Sequence, residues 1–349
     1  MIKKNLLKIL SIAALIVTGC NEKNNDSYAI SVDIDNVTSD SLDIAEFINS
    51  LTYIELQTPS DEIIGNILSA RIKDSHIIIK DNTKDSPVAL FDQSGNFISR
   101  VGQRGQGPGD YIEATAVDID TDTIYIYDML SASALIYNTN GQYLGKDSIG
   151  YGYDFAVTRI DGKKYYLLAN YNTQPDDMAG VFLITPKPFK SEKILDRRDE
   201  LVLHNRPAEF SFNNDIVRTM TNDYEFKAMR LDHDSTVCEY EFDISPIPPR
   251  SEINSWTTGY DNLLKHFTRT AYIDADRWIY LFFSKIDNPR SVLFDKKNNT
   301  YQVARYLKNS LDDTSLFWFQ PTVVDGILLG VTIPDDDENP RIMLAHLKK

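Results

Sequence analysis

Asp74-Ser75-His76-Ile77-Ile78-Ile79 is followed, after a loop, by Leu90-Phe91-Asp92-Gln93-Ser94-Gly95-Asn96-Phe97. The same order returns as Asp120-Thr121-Asp122-Thr123-Ile124-Tyr125-Ile126-Tyr127 and then Ile136-Tyr137-Asn138-Thr139-Asn140-Gly141-Gln142-Tyr143. Each copy is a turn, a short apolar strand, a loop and a second strand. The motif recurs about six times at intervals of roughly 40–60 residues, a period that marks a β-propeller.

In a four-stranded blade the innermost strand A turns into strand B, and B begins as an apolar, β-branched or aromatic run. Turns of this kind stand at Asp74-Ser75-His76, Asp120 to Thr123, Asp161 to Lys164, Asn213-Asn214-Asp215, Asp274 to Arg277 and Asp325-Gly326. All are built from residues that accept tight or left-handed backbone. Strand-forming residues follow each, from Ile77-Ile78-Ile79 to Ile327-Leu328-Leu329. Six such turns predict an all-β, six-bladed propeller. The last blade has only Phe317 to Val324, Ile327 to Ile333 and Ile342 to Leu347, one strand too few. Leu51-Thr52-Tyr53-Ile54-Glu55-Leu56 alternates as a half-buried strand should. Paired beside Ile342 to Leu347 it is expected to close the ring and remove two exposed edges.

Composition is that of a globular chain: 349 residues, 42% hydrophobic, 25% charged, formal net charge −15. So acidic a surface repels a polyanion, which argues against a nucleic-acid partner. The amino terminus reads as an address. Lys3, Lys4 and Lys8 surround the start of an apolar run, Leu10 to Val17, that is too short to span a bilayer. Its end, Val17-Thr18-Gly19-Cys20, resembles a bacterial lipobox, in which cleavage precedes a cysteine that then carries lipid. An ordinary cleaved signal is the alternative. The expected organisation is a signal peptide over 1–19, a lipid-anchored tether and lead-in over 20–43, and the propeller over 44–349. Lipidation at Cys20 leaves Cys238 alone, so the fold rests on core burial and not on a disulfide.

Arg100-Val101-Gly102-Gln103-Arg104-Gly105-Gln106-Gly107-Pro108-Gly109-Asp110-Tyr111, leading into Ala116-Val117-Asp118, resembles the blade linker of NHL-type propellers. With the lipobox and the Leu51–Leu56 segment, the chain resembles the six-bladed β-propeller lipoproteins common in Bacteroidetes. The match is tight over the first two blades. It weakens in blades three and four, where Pro186-Lys187-Pro188 replaces the Asp-x-x-Gly turn. The resemblance implies a protein lipid-anchored to the outer membrane of a Gram-negative cell, facing the periplasm or the surface. It implies no reaction and no catalytic residues.

Candidate binding residues follow from position. Arg104 lies in a D-to-A linker, on the face where propellers usually keep their sites; pinning its own linker is the plainer role. The glycines around it serve backbone geometry, since no helix and no Gly-Lys-Ser or Gly-Lys-Thr follows. Asn288-Pro289-Arg290 and Asn339-Pro340-Arg341 repeat in the B-to-C loops of blades five and six. If both arginines reach inward they clamp an anion; otherwise each ties its loop to a nearby aspartate such as Asp287 or Asp336. The insertion Ser245 to His266 carries Trp256 and Tyr260, and long aromatic loops either bind something or pack on a rim. Asp118-Ile119-Asp120-Thr121-Asp122 alternates like a calcium loop but lacks the glycine and distal glutamate. The acidic run Asp335 to Glu338 reads as a solvated loop. The five histidines show no metal spacing, so no metal or cofactor is expected.

Three functions fit. The first is an anchored protein that binds a small molecule, glycan or peptide on its top face. The second is a scaffold that binds another envelope protein. The third, an enzyme of the hydrolase or lyase kind, needs convergent acids, bases or ligands, and the sequence offers none.

Overall fold

The computed structural model of the chain describes residues 28–59, 64–83, 87–170, 179–196, 210–221, 226–247, 265–333 and 339–349. These residues are all-β, with one 3-10 turn at Ile44–Glu46. Strands β1 (Tyr28–Asp33), β2 (Ser39–Asp43) and β3 (Ile48–Glu55) come first. Antiparallel four-stranded units then follow along the chain. The first is β4 (Ile67–Lys73), β5 (His76–Asp81), β6 (Val88–Asp92) and β7 (Phe97–Arg100). After the short β8 (Gln103–Arg104) and β9 (Asp110–Tyr111) comes the second, β10 (Ala114–Asp120), β11 (Thr123–Asp128), β12 (Ser133–Asn138) and β13 (Tyr143–Ser148). The third is β14 (Asp154–Ile160), β15 (Lys163–Asn170), β16 (Gly180–Pro186) and β17 (Phe189–Asp196). The fourth is β18 (Phe210–Asn213), β19 (Ile216–Met220), β20 (Phe226–Asp232) and β21 (Ser235–Ser245). The fifth is β22 (Thr268–Asp274), β23 (Trp278–Ser284), β24 (Arg290–Asp295) and β25 (Thr300–Lys308). The chain ends in β26 (Phe317–Val324), β27 (Ile327–Thr332) and β28 (Arg341–Leu347).

Turn chemistry sets the hairpins. Asp74 and Ser75, Asp161 and Gly162, and Asp325 and Gly326 each supply two successive positive φ angles. A tight two-residue hairpin whose twist matches its strands requires such a pair. Between the outer strands, Asp92 Oδ1 accepts from the backbone N–H of Ser94 at 2.8 Å and of Asn96 at 2.9 Å. Asn138 Oδ1 does the same for Asn140 and Gln142, and Asp295 Oδ1 for Lys297. The Asp-x-x-Gly repeat is therefore an Asx turn. The third unit lacks it, yet β16 and β17 pair directly from Pro186 opposite Phe189.

The anticipated pairing of the front segment is present. β3 lies antiparallel to β28, with Ile54 opposite Ile342 and Thr52 opposite Leu344, as the fourth strand of the last sheet. Residues 28–43, grouped on sequence with the tether, belong instead to the sheets. β1 runs parallel to β21 and β2 parallel to β25, each covering an outer edge that otherwise exposes unpaired N–H and C=O groups. Ile30, Val32 and Ile34 alternate and are buried, so this segment holds its register by the same period of two as any inner strand.

The core lies between neighbouring sheets. Ile78 and Leu90 meet Ile124 and Tyr137, and Tyr125 and Tyr127 meet Phe155 and Tyr166. Leu329, Val331 and Ile342 of the last sheet pack with Ile67, Ile77 and Ile79 of the first. The glycine-rich linker is pinned by close approach. At Gly102, φ is +64° and an added Cβ meets the Tyr137 hydroxyl at 2.6 Å. That hydroxyl donates to the carbonyl of Gly109 at 2.7 Å.

Candidate functional site

The first strands of the units, β4, β10, β14, β18, β22 and β26, gather around a cavity of about 550 Å³. Its wall is mostly aromatic and aliphatic, including Phe155, Phe212, Tyr272, Phe282, Trp318 and Phe319. Its polar groups are Ser69, Thr115, Thr270, Gln320, Thr322 and the hydroxyls of Tyr153 and Tyr272, with Arg71, Lys80, Asp118 and Asp154 carrying charge. A concave, largely apolar chamber of several hundred Å³ with sparse polar groups is the usual form of a small-molecule site.

The lining residues of β4, β10 and β14 come largely from the strand starts, so the chamber lies toward the end where the linkers arrive. Its floor is a polar layer. The Arg71 guanidinium donates through Nε and NH2 to Asp118 Oδ1 at 3.3 and 3.1 Å and through NH1 to Thr322 Oγ1 at 3.1 Å. It lies 3.2 Å from the centroid of the Phe212 ring. Asp118 Oδ2 accepts from the backbone N–H of Val157 at 2.7 Å. Below, β18 pairs directly with β26, Phe212 opposite Thr322 and Asn213 opposite Val323. A second, smaller hollow of about 280 Å³ lies beyond this layer among Lys73, Asp74, Asp215 and Asp325, and shares Arg71, Asp118, Phe212 and Thr322 with the chamber. The two hollows are separated by that shared floor.

Electrostatics inside the chamber are uneven. Arg71 and Asp118 neutralise each other in the floor. Lys80, 9% exposed, sits on β5 opposite Ser69. Burial lowers its pKa below that of an ordinary lysine, opposed in part by the charges of Glu113, Asp154 and Asp81. Burial and the neighbouring Tyr151 push the Tyr153 phenol up to about 12, so it is a neutral hydroxyl at physiological pH.

The residues singled out on sequence do not converge here. Arg290 is buried away from the chamber: Nε donates to the Ile34 carbonyl at 2.6 Å, NH1 to those of Asn288 and Pro289, and Asp35 lies 3.5 Å away. It fastens the end of β1, and its guanidinium is engaged there and not beside Arg341. Arg341 starts β28 as Arg290 starts β24, but its guanidinium stacks 4.5 Å from the Tyr53 ring centroid and stands 3.7 Å from Glu55. The hollow it lines, about 360 Å³, also holds Asp312 and Asp313, which oppose an anion. Arg104 is exposed on β8, beside the backbone pairing with Tyr111. Trp256, Tyr260, Cys20 and the acidic run at Asp335 lie outside the described residues.

Asp118 and Asp120 are engaged by Arg71 and Arg159, at 3.1 and 2.8 Å, which explains their alternation without calcium. Among the described residues no group of three or more His, Cys, Asp or Glu side chains is arranged to hold a metal ion. Burial raises the pKa of the Cys238 thiol, which disfavours the nucleophilic thiolate. Most lining residues escaped the sequence reading because they come from eight separate stretches of the chain. Asp118 stands out for its alternation with Asp120, and the one further signal is Lys80, a lysine closing the apolar run Ile77-Ile78-Ile79.

The profile of one family, described as a domain of unknown function (DUF4934), matches residues 29–342. The chain belongs to the DUF4934 family. No curated protein matches it. Among solved structures, this DUF4934 chain is similar to a putative exported protein of Bacteroides fragilis at 17% identity and a TM-score of 0.73, covering 92% of this chain and all of that one. A DUF4221 member from Bacteroides vulgatus aligns at 10% identity and a TM-score of 0.54, over 86% of this chain and 97% of the other. A streptogramin B lyase aligns at 11% identity and a TM-score of 0.43, over 85% and 97% of the two chains, too distant to carry anything about activity. The shared property is a propeller-like, all-β fold.

Proposed function

We propose that this chain is a lipid-anchored, six-bladed β-propeller of the bacterial cell envelope that binds a small molecule in its central chamber. The observation that carries the reading is the chamber itself: closed below by the Arg71–Asp118–Thr322 layer, walled by aromatic side chains, and drawn from strands of every unit. Ring closure is supported by β3 completing the last sheet and by that sheet packing on the first. Anchoring is supported by Val17-Thr18-Gly19-Cys20 and by the exported neighbour in Bacteroides fragilis. Among the described residues no helix is long and apolar enough to cross a membrane. An outer-membrane address follows from the Bacteroidetes resemblance, and Cys20→Ser is expected to move the protein from the membrane to the soluble fraction. An unchanged distribution contradicts the anchor.

Strand direction orients the molecule. β1 runs parallel to β21 and ends where Arg290 holds Ile34, so β1 begins toward the end bearing Asp74, Asp161 and Asp325. An anchor at Cys20 then leaves the chamber mouth facing away from the bilayer. A fluorophore at Asp161 is expected to be quenched by lipid-borne quenchers more than one at Leu68, and the reverse order refutes this orientation.

A thermal-shift screen of the full-length protein against small organic acids, sugars and short peptides tests binding. A ligand at 100 times its dissociation constant adds about 2.7 kcal/mol. Thr115→Trp, which fills the chamber from its wall, is expected to abolish the shift. A shift indifferent to Thr115→Trp puts the site elsewhere, and no shift across the panel favours a scaffold for another envelope protein.

A further inference from the structure

We propose that Lys80 makes the central chamber a receptor for apolar monocarboxylates, its ammonium taking the carboxylate while Phe155, Phe282 and Trp318 take the hydrocarbon body. The proposal rests on reading the chamber as a ligand site and adds the chemistry of the ligand.

Lys80 is a buried cation without a committed partner. Among the described residues it makes no hydrogen bond and no ion pair, although it lines the chamber. The acid next to it in sequence is already used: Asp81 accepts from the backbone N–H groups of Gly65 at 2.7 Å, Asn66 at 3.1 Å and Thr83 at 2.9 Å. Asp154 at the start of β14 accepts from the Phe155 N–H at 2.8 Å. Glu113, on the linker into β10, is exposed. These three are the charges that act on the ammonium. The other ionic groups of the chamber, Arg71 and Asp118, satisfy each other in the floor.

A lysine in such a place carries a desolvation cost that those charges offset only in part, and a bound carboxylate reduces it further by a charge-assisted hydrogen bond. The same surroundings choose among anions. A phosphate dianion meets one ammonium, no guanidinium fork, and the longer-range repulsion of Asp154 and Glu113. A monocarboxylate needs only the one donor. The aromatic wall favours a ligand whose remainder is apolar, and about 550 Å³ holds a ring system with a short chain.

Burial also lowers the pKa of Lys80, so carboxylate binding is linked to its proton. The ammonium is the binding form, and raising the pH through its depressed pKa removes it. Carboxylate affinity therefore falls at a lower pH than an ordinary lysine predicts.

The test titrates the full-length protein with 4-phenylbutyrate and indole-3-propionate, each beside its primary amide, by calorimetry at pH 7. The acids are expected to bind about tenfold or more tightly than the amides. Lys80→Met is expected to abolish that preference, Lys80→Arg to retain it, and only the wild type to lose acid affinity as the pH rises toward the ordinary lysine range. Lys80→Met removes a buried charge while keeping an unbranched side chain one atom shorter, and its cooperative unfolding confirms the fold. Amides that bind as well as acids, or a preference that survives Lys80→Met, overturn the role of Lys80 while leaving the chamber as a site. Failure of acids and amides alike overturns the ligand-site reading and this proposal with it.

Discussion

Replacing Asp274 with alanine is expected to destabilise the protein by about 3 kcal/mol. Asp274 closes β22 and is fully buried. Its carboxylate meets Lys296 Nζ at 2.6 Å, the Tyr272 hydroxyl at 3.0 Å and Arg218 Nε at 3.6 Å, joining the fourth and fifth units. Removing one side of a buried ion pair costs about 3–5 kcal/mol, because the remaining charge keeps its desolvation penalty. The lower end applies here. Lys296 still donates to the Ala275 carbonyl at 2.7 Å, and Arg218 still meets Glu239 at 2.7 Å. Against a typical total of about 5–15 kcal/mol, the loss is a large share. Asp274→Ala combined with Lys296→Met removes both charges, and the pair is expected to lose less than the sum of the single variants, by about 1–2 kcal/mol. Urea unfolding followed by tryptophan fluorescence measures all three. A single-variant loss below about 1 kcal/mol, or strict additivity, refutes the account of a mutually compensated buried pair.

The same cluster predicts acid sensitivity. Burial resists ionisation of Glu239, but hydrogen bonds and charge from Arg218 and Arg230 outweigh it and hold the carboxyl below its ordinary value. Such a group stabilises the fold above its unfolded pKa, and the contribution is lost as pH falls through the folded value. Glu239→Gln is therefore expected to flatten the loss of stability from about pH 5 to pH 3, read from urea midpoints; equal slopes contradict it. Deleting residues 51–56 removes most of β3 and is expected to abolish cooperative unfolding, whereas deleting residues 21–27 leaves the urea midpoint unchanged; equal midpoints argue against β3 as a structural strand. Arg290→Ala is expected to speed proteolysis around residues 34–38 while leaving the response to chamber ligands intact. Loss of that response restores the anion-clamp role that its contacts with Ile34 and Asp35 argue against.

What the sequence discloses and what it hides have physical reasons. Turns at Asp74, Asp161 and Asp325 are legible because left-handed backbone selects a few residue types. The B strands are legible because Ile77 to Ile79 and Ile124 to Tyr127 are buried on both faces and read as unbroken apolar runs. β2 is hidden because Leu42 is its one apolar residue, and β1, although it alternates, pairs in parallel with β21 and so leaves no hairpin signal. Arg290 misled because equivalent position along the chain says nothing of direction: it faces the β1 segment, whereas Arg341 faces β3. The chamber is hidden most deeply. Arg71, Asp118, Phe212 and Thr322 are unremarkable singly and become a floor only when four inner strands meet.

That floor gives the molecule its two unlike ends. Six inner strands around an axis would leave a channel through the protein, and two devices interrupt it. β18 and β26 approach closely enough to exchange backbone hydrogen bonds across the turn end, with the Asn214 N–H reaching the Val323 carbonyl at 2.8 Å. Just above, Arg71 covers Phe212 and ties β4 to β10 and β26. The guanidinium suits this place because its fork bonds in plane while its face covers an aromatic ring, which a lysine cannot do. Above that floor, Lys80 and Asp154 are the charged lining residues, and Lys80 makes no hydrogen bond or ion pair among the described residues. On the reading proposed above, a chamber closed at its floor by paired charges and walled by aromatic rings is the form that a retained ligand needs.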